Sequence, residues 1–112
     1  MSENILDNYQ EFTNSTAIYP GADSGNVEAL MYCALGLAGE AGEVANKIKK
    51  VFRDNKEVDA NDVAKELGDV MWYVARLSAE LGVDLSSIVL ENKDKLIDRQ
   101  NRDVLSGSGD NR

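Results

Sequence analysis

Apolar residues recur at alternating steps of four and three over two long stretches of this chain, and that spacing restricts the fold more than any other feature. Val27, Met31, Ala34, Ala38, Ala41, Ala45, Ile48 and Phe52 follow it in the first stretch, widened by Leu30, Leu37, Val44 and Val51. Val63, Leu67, Val70, Val74, Leu77 and Leu81 follow it in the second. A helix repeats about every 3.6 residues, so such steps hold an apolar stripe on one side. No useful length alternates apolar and polar residues with the period of two that a half-buried strand needs. The predicted fold class is all-α, a four-helix-type bundle with short connections and no internal repeat.

Local signals divide the chain further. Ile5, Leu6, Tyr9 and Phe12 predict a first helix, Ile5 to Phe12. The segment Thr13 to Asn26 holds the only proline, Pro20, with Gly21 and Gly25, and reads as loop. Asn26 is placed to cap a second helix running to Phe52, and Arg53 to Lys56 break the pattern. Asp59 or Asn61 caps a third helix that Gly82 stops, and Asp84 or Ser86 caps a fourth. Leu85, Ile88, Val89, Leu96 and Ile97 give that fourth helix its apolar side. The expectation is one domain over residues 1–104 and a flexible C-terminal tail over 105–112.

Composition narrows the chemistry. Twenty acidic against twelve basic residues give a net charge of −8, which opposes binding to nucleic acid polymers or anionic membranes. Histidine is absent, and the single cysteine, Cys33, lies in an apolar helical run and is expected in the core. His-based triads, Cys-His nucleophiles and ordinary zinc sites are thereby excluded. With one cysteine and neither an apolar leader nor a membrane-length run, the expected setting is cytoplasmic.

What remains is carboxylate chemistry. Glu40 with Glu43, and Glu66 with Asp69, are each three residues apart on a predicted helix, so each pair shares a face. Twenty-two residues, Val44 to Lys65, separate the pairs, enough for two helices to turn and pack antiparallel. Four converging acids repel one another unless a cation sits among them, and hard oxygen ligands suit magnesium. The plainer alternative is two solvated helix faces, with Glu43 and Lys47 an ordinary surface pair. Gly36, Gly39 and Gly42 sharpen the first reading, since three helical glycines cost about 2 kcal/mol relative to alanine and imply a close approach to the backbone. Gly68, between Glu66 and Asp69, repeats the sign on the facing helix.

The run Leu35-Gly-Leu-Ala-Gly-Glu-Ala-Gly-Glu-Val44, followed by Lys65-Glu-Leu-Gly-Asp-Val-Met-Trp-Tyr73, resembles the MazG-like all-α nucleoside triphosphate pyrophosphohydrolases, whose signature is ExxE, a spacer, then ExxD. Glu91 to Leu96 is similar to the family's Asn/Lys segment on the last core helix, so the resemblance spans roughly residues 27 to 99. Gly39 stands where many members carry a further acid, so no ligand is expected there. The resemblance implies magnesium, or manganese in its place, held by Glu40, Glu43, Glu66 and Asp69 as metal-binding and catalytic residues. It also implies cleavage of a nucleoside triphosphate between its α- and β-phosphates, releasing a monophosphate and pyrophosphate. That chemistry needs no covalent intermediate: the metal neutralises phosphate charge and one carboxylate orients or deprotonates the attacking water.

For the substrate, Asn92, Lys95 and Arg99 lie at i, i+3 and i+7 on the fourth helix and present an amide and two cations that can grip phosphates. Dipole complementarity at a helix C-terminus accounts for the two cations equally well. Lys47 and Lys50 extend the acidic line and can reach outer phosphates, or be solvated. Tyr73 shares the carboxylate row and is the pocket candidate, while Trp72 is assigned to the core or an interface, and Phe12 and Tyr19 are candidates to close the base pocket from another chain. The broad apolar surface of the second helix points to a dimer that would bury it, or equally to cover from the N-terminal segment within the monomer; the resemblance implies a homodimer or a homotetramer built as a dimer of dimers. The alternative function is a non-catalytic helical module that binds cations or a basic partner.

Overall fold

A computed structural model describes residues 4–110, and every regular element among them is helical. The order is α1 (Ile5–Thr13), a 3-10 turn (Asn14–Thr16), α2 (Val27–Asp54), α3 (Ala60–Glu80) and α4 (Leu85–Asn101). The all-α expectation and its four helices hold. No helix among the described residues is long and apolar enough to cross a membrane.

The helix ends follow side-chain chemistry. Asn26 Oδ1 accepts from the Ala29 amide and opens α2, and Asp59 rather than Asn61 caps α3 through the Asn61 and Asp62 amides. α2 runs two residues past Phe52, until Asn55 turns left-handed at φ 54°. Gly82, at φ +73°, ends α3 and lets the Val83 amide reach back to Ser78 O at 2.9 Å. At α4, Asp84 stands in the capping position without a side-chain bond; Asp7 of α1 instead accepts from the Ser86 amide at 2.9 Å and its hydroxyl at 2.7 Å. Gln10 clasps the same turn, donating to Val83 O and accepting from the Leu85 amide, each at 2.9 Å.

Gly36 meets Tyr73 and Lys47 meets Asp62, so rising numbers on α2 face falling numbers on α3 and the helices are antiparallel. A Cβ at Gly36 would lie 2.1 Å from Tyr73 Cε1, so the ring occupies the space a side chain would fill. This is the close approach expected of the helical glycines, and it comes from a partner helix. Gly39, Gly42 and Gly68 have nothing within 4 Å of an added Cβ.

The core gathers at one end of the pair. Tyr19, Ala29 and Cys33 are buried there, with Ala17, Ala22, Trp72 and Leu77 packed against them. Tyr19 is therefore a core residue rather than a pocket wall, while Phe12 is 59% exposed. Beneath the loop before α2, Arg76 is completely buried: it donates to Asp23 at 2.5 Å, Asn14 at 2.6 Å, Tyr19 at 3.1 Å, Thr13 at 3.2 Å and Glu80 at 3.3 Å. Glu80 also accepts from the Tyr19 hydroxyl and from the Asp23 and Gly25 amides. Burial pushes the Glu80 carboxyl up, but those donors and Arg76 outweigh it and hold the group below the usual range.

The apolar row that marks α2 in the sequence does not form the seam with α3. Val27, Met31, Ile48 and Phe52 are all exposed, Phe52 by 90%, whereas Cys33 is buried and Leu37, Glu40, Val44 and Lys47 are half-buried. On α3, Leu67 is exposed and Ala75, Arg76 and Ser78 are buried, and Leu81, just past its end, is exposed. The chain is correspondingly open, with a radius of gyration of 16.7 Å where a compact chain of ~100 residues has about 13 Å. α4 packs on α1 and α3, and the following segment lies back along it: Asp110 Oδ1 accepts from Lys95 Nζ at 3.2 Å and Arg99 Nη2 at 3.3 Å. The last two residues of the expected tail, 111 and 112, lie outside the described residues, as do residues 1–3 of the expected domain.

Gly36→Ala is expected to cost about 1–2 kcal/mol by forcing Tyr73 off its seat, whereas Gly68→Ala, with open space, gains about 0.5–1 kcal/mol from helix propensity; urea unfolding of both variants measures the contrast. Arg76→Met strands a buried carboxylate and is expected to lose about 3–5 kcal/mol. Because Glu80 titrates below its unfolded value, its stabilising contribution is present at neutral pH and disappears as pH falls through that lowered value, which thermal melts across the acid range will show.

Candidate metal centre

The same antiparallel register carries the acids to one place. Glu40, one turn beyond Gly36, comes onto the line of Asp69, one turn before Tyr73. One carboxylate oxygen from each of Glu40, Glu66 and Asp69 lies within 4.8 Å of the other two. Glu40 and Glu66 are half-buried and Asp69 is exposed, so the group sits at the rim of the helix seam. Glu43 stays outside this trio; it is exposed and shares a cavity wall with Glu66.

The electrostatics register the crowding. Burial pushes the Glu40 carboxyl above the usual range, and the charges of Asp69, Glu66 and Glu43 push it further. Each of the four sequence-derived acids thus belongs to one field. Oxygen donors alone, three converging carboxylates and a surplus of negative charge are what a hard divalent ion such as magnesium or manganese takes.

Two cavities open beside the trio. One, of about 330 Å³, is lined by Thr16, Glu40, Asp69, Trp72 and Tyr73. Its wall is fixed: Trp72 Nε1 donates to Thr16 Oγ1 at 2.8 Å, and the Trp72 and Tyr73 rings meet edge to face at 5.0 Å. The Tyr73 hydroxyl is pushed up to about 12, first by burial, then by Tyr32 and the Glu40 charge, and stays protonated. The other, of about 500 Å³, runs between α2 and α3 from Glu43 and Glu66 toward the connection, with Lys47, Lys50 and Lys56 in its wall.

Lys47 Nζ lies 2.7 Å from Asp62 Oδ1 and 3.7 Å from Glu66 Oε1. Lys95 and Arg99 share Asp110 on α4, and Asn92 is exposed on that helix. The partners that Lys95 and Arg99 meet are Asp110 and the Gly109 carbonyl, not the carboxylates of the trio. Sequence reasoning missed Asp62, Thr16 and the lining role of Trp72. Asp62 had a signal, since it precedes Glu66 by one turn on the same helix face.

The sequence profile of the MazG nucleotide pyrophosphohydrolase domain matches residues 29–103. The chain belongs to that family. The Gene 37 protein of Mycobacterium phage L5 is a relative, 51% identical over an alignment of 112 positions that takes in 96% of this chain and 98% of the phage protein. No solved structure matches.

Because like charges crowd Glu40, Glu40→Gln is expected to stabilise the metal-free protein by roughly 2–5 °C in Tm. The raised Glu40 value sets the sign: the folded state holds its proton longer, so metal-free stability falls as pH rises from the ordinary glutamate range through that value. Saturating Mn2+ reverses the loss in the unsubstituted chain and does little in Glu40→Gln, as calorimetric melts with and without the ion will establish.

Proposed function

We propose that this chain is a magnesium-dependent pyrophosphohydrolase that cleaves nucleoside or deoxynucleoside triphosphates between the α- and β-phosphates, in cytoplasmic nucleotide-pool house-cleaning. The observation that carries the reading is the convergence of Glu40, Glu66 and Asp69 beside an aromatic-walled cavity, in a chain of this family. When bound, magnesium supplies charge neutralisation at the phosphates and a more acidic water.

The residues of the chain do the rest. Glu40, Glu66 and Asp69 would hold the ion, and Glu43, whose charge already acts on Glu40, orients the attacking water. Water adds to the α-phosphorus, the bond to the bridging oxygen breaks, pyrophosphate leaves, and a carboxylate of the centre takes the water's proton. The nucleoside end lies in the cavity walled by Tyr73 and Trp72, and the outer phosphates run toward Lys47. Asn92, Lys95 and Arg99 reach the phosphates across the interface with a second copy, the substrate replacing Asp110 on the two cations. A second copy also covers the exposed row of Met31, Leu35, Ile48 and Phe52 on α2, giving a homodimer or a dimer of dimers.

Incubation with a panel of NTPs and dNTPs plus Mg2+ is expected to release pyrophosphate and a monophosphate, with no orthophosphate. Glu43→Gln and Asp69→Asn are each expected to lower kcat at least ~100-fold with helical content unchanged, within the range that general base and metal ligand losses span. Tight Mn2+ binding without turnover of any nucleotide selects the non-catalytic cation-binding module instead.

A further inference from the structure

Lys47 and Asp62 form a contact that the cleavage chemistry does not call for. Asp62 and Glu66 stand one turn apart on α3 with like charges side by side, and the Lys47 ammonium from α2 lies between them. The placement is uneven. At 2.7 Å the ammonium is hydrogen-bonded to Asp62, while its ion pair with Glu66 is a full ångström longer, at 3.7 Å.

That asymmetry matters because Glu66 supplies one of the three converging oxygens. A lysine that closed on Glu66 would occupy the carboxylate with a charge-assisted bond and compete with a divalent ion for it. Asp62 holds the closer end of this contact. It is less buried than its partners, its side chain being 49% exposed against 29% for Lys47 and 19% for Glu66, so the ammonium is drawn outward, toward the larger cavity.

We propose that Asp62 is a positioning residue for the metal centre, acting through Lys47: it holds the ammonium off Glu66 and so keeps that carboxylate open to the ion. The inference rests on the trio being the metal site, and it assigns to Asp62 no contact with substrate or ion.

Mn2+ titration by calorimetry tests it without any turnover. Asp62→Asn is expected to weaken Mn2+ binding roughly tenfold, the scale of losing an outer-shell partner, because Lys47 then collapses onto Glu66. Removing the lysine as well, in Asp62→Asn with Lys47→Gln, is expected to restore binding to the level of Lys47→Gln alone, at or tighter than the unsubstituted chain. Asp62→Glu is expected to retain it. Asp62 also sits in the first turn of α3, where losing its charge weakens the helix end, but a helix-end defect is not repaired by a second substitution on α2. Equal Mn2+ affinity in Asp62→Asn and the unsubstituted chain overturns the role alone, as does a double variant that binds as weakly as Asp62→Asn. Failure of the unsubstituted chain to bind Mn2+ overturns the centre and this role together.

Discussion

Tyr73 lies on the bare backbone of Gly36, and the register of α2 on α3 depends on that contact. A one-residue slip of either helix rotates its side chains by about 100°. The ring therefore fixes the rotation and height of both helices at once. One turn further along each, Glu40 and Asp69 fall together, and beyond them Lys47 falls on Asp62. The missing side chain at Gly36 costs helix propensity and yields a centre whose parts come from two helices but share one datum.

Stability and charge crowding are kept apart. The Arg76 guanidinium of α3 is tied to the end of α1 and the loop before α2 through Thr13, Asn14, Tyr19 and Asp23, with Glu80 of its own helix as a fifth partner and the Tyr19 ring at 5.7 Å. Such a fully bonded buried ion pair is weak as a source of net stability, but it specifies one arrangement of the loop because every alternative strands a charge. The carboxylate end lacks that reinforcement: its acids repel, its apolar neighbours on α2 are exposed, and an ion or a further surface must supply what the single chain does not. A protein of this size has little stability to lose to repulsion, so the separation is what makes the centre tolerable.

Much of this was legible in the residues. The steps of three and four that pass through Val63, Val70 and Val74 gave the helices, and Asn26, Asp59 and Gly82 ended them where their chemistry demands. The convergence of Glu40 with Glu66 and Asp69 followed from spacing once an antiparallel pair was assumed. The seam was not legible, because hydrophobicity ranks Met31, Ile48 and Phe52 as core while the chain buries Arg76 and Glu80 and half-buries Glu40 and Lys47 against the facing helix. Periodicity records which side of a helix is apolar; it does not say whether that side meets its own chain. Likewise Tyr19 reads as a loop aromatic in one dimension, and only the partners Glu80 and Arg76, some sixty residues on, turn it inward.

Cys33 is sealed beneath Tyr19 and Ala29 with no accessible surface, and burial pushes its thiol up, away from the reactive thiolate. It is the sole sulfhydryl of the chain, and the carboxylates of the centre have no oxidation state to change. A protein built this way carries no thiol-based redox handle: peroxide or disulfide stress that silences cysteine enzymes leaves its acidic centre chemically as it was.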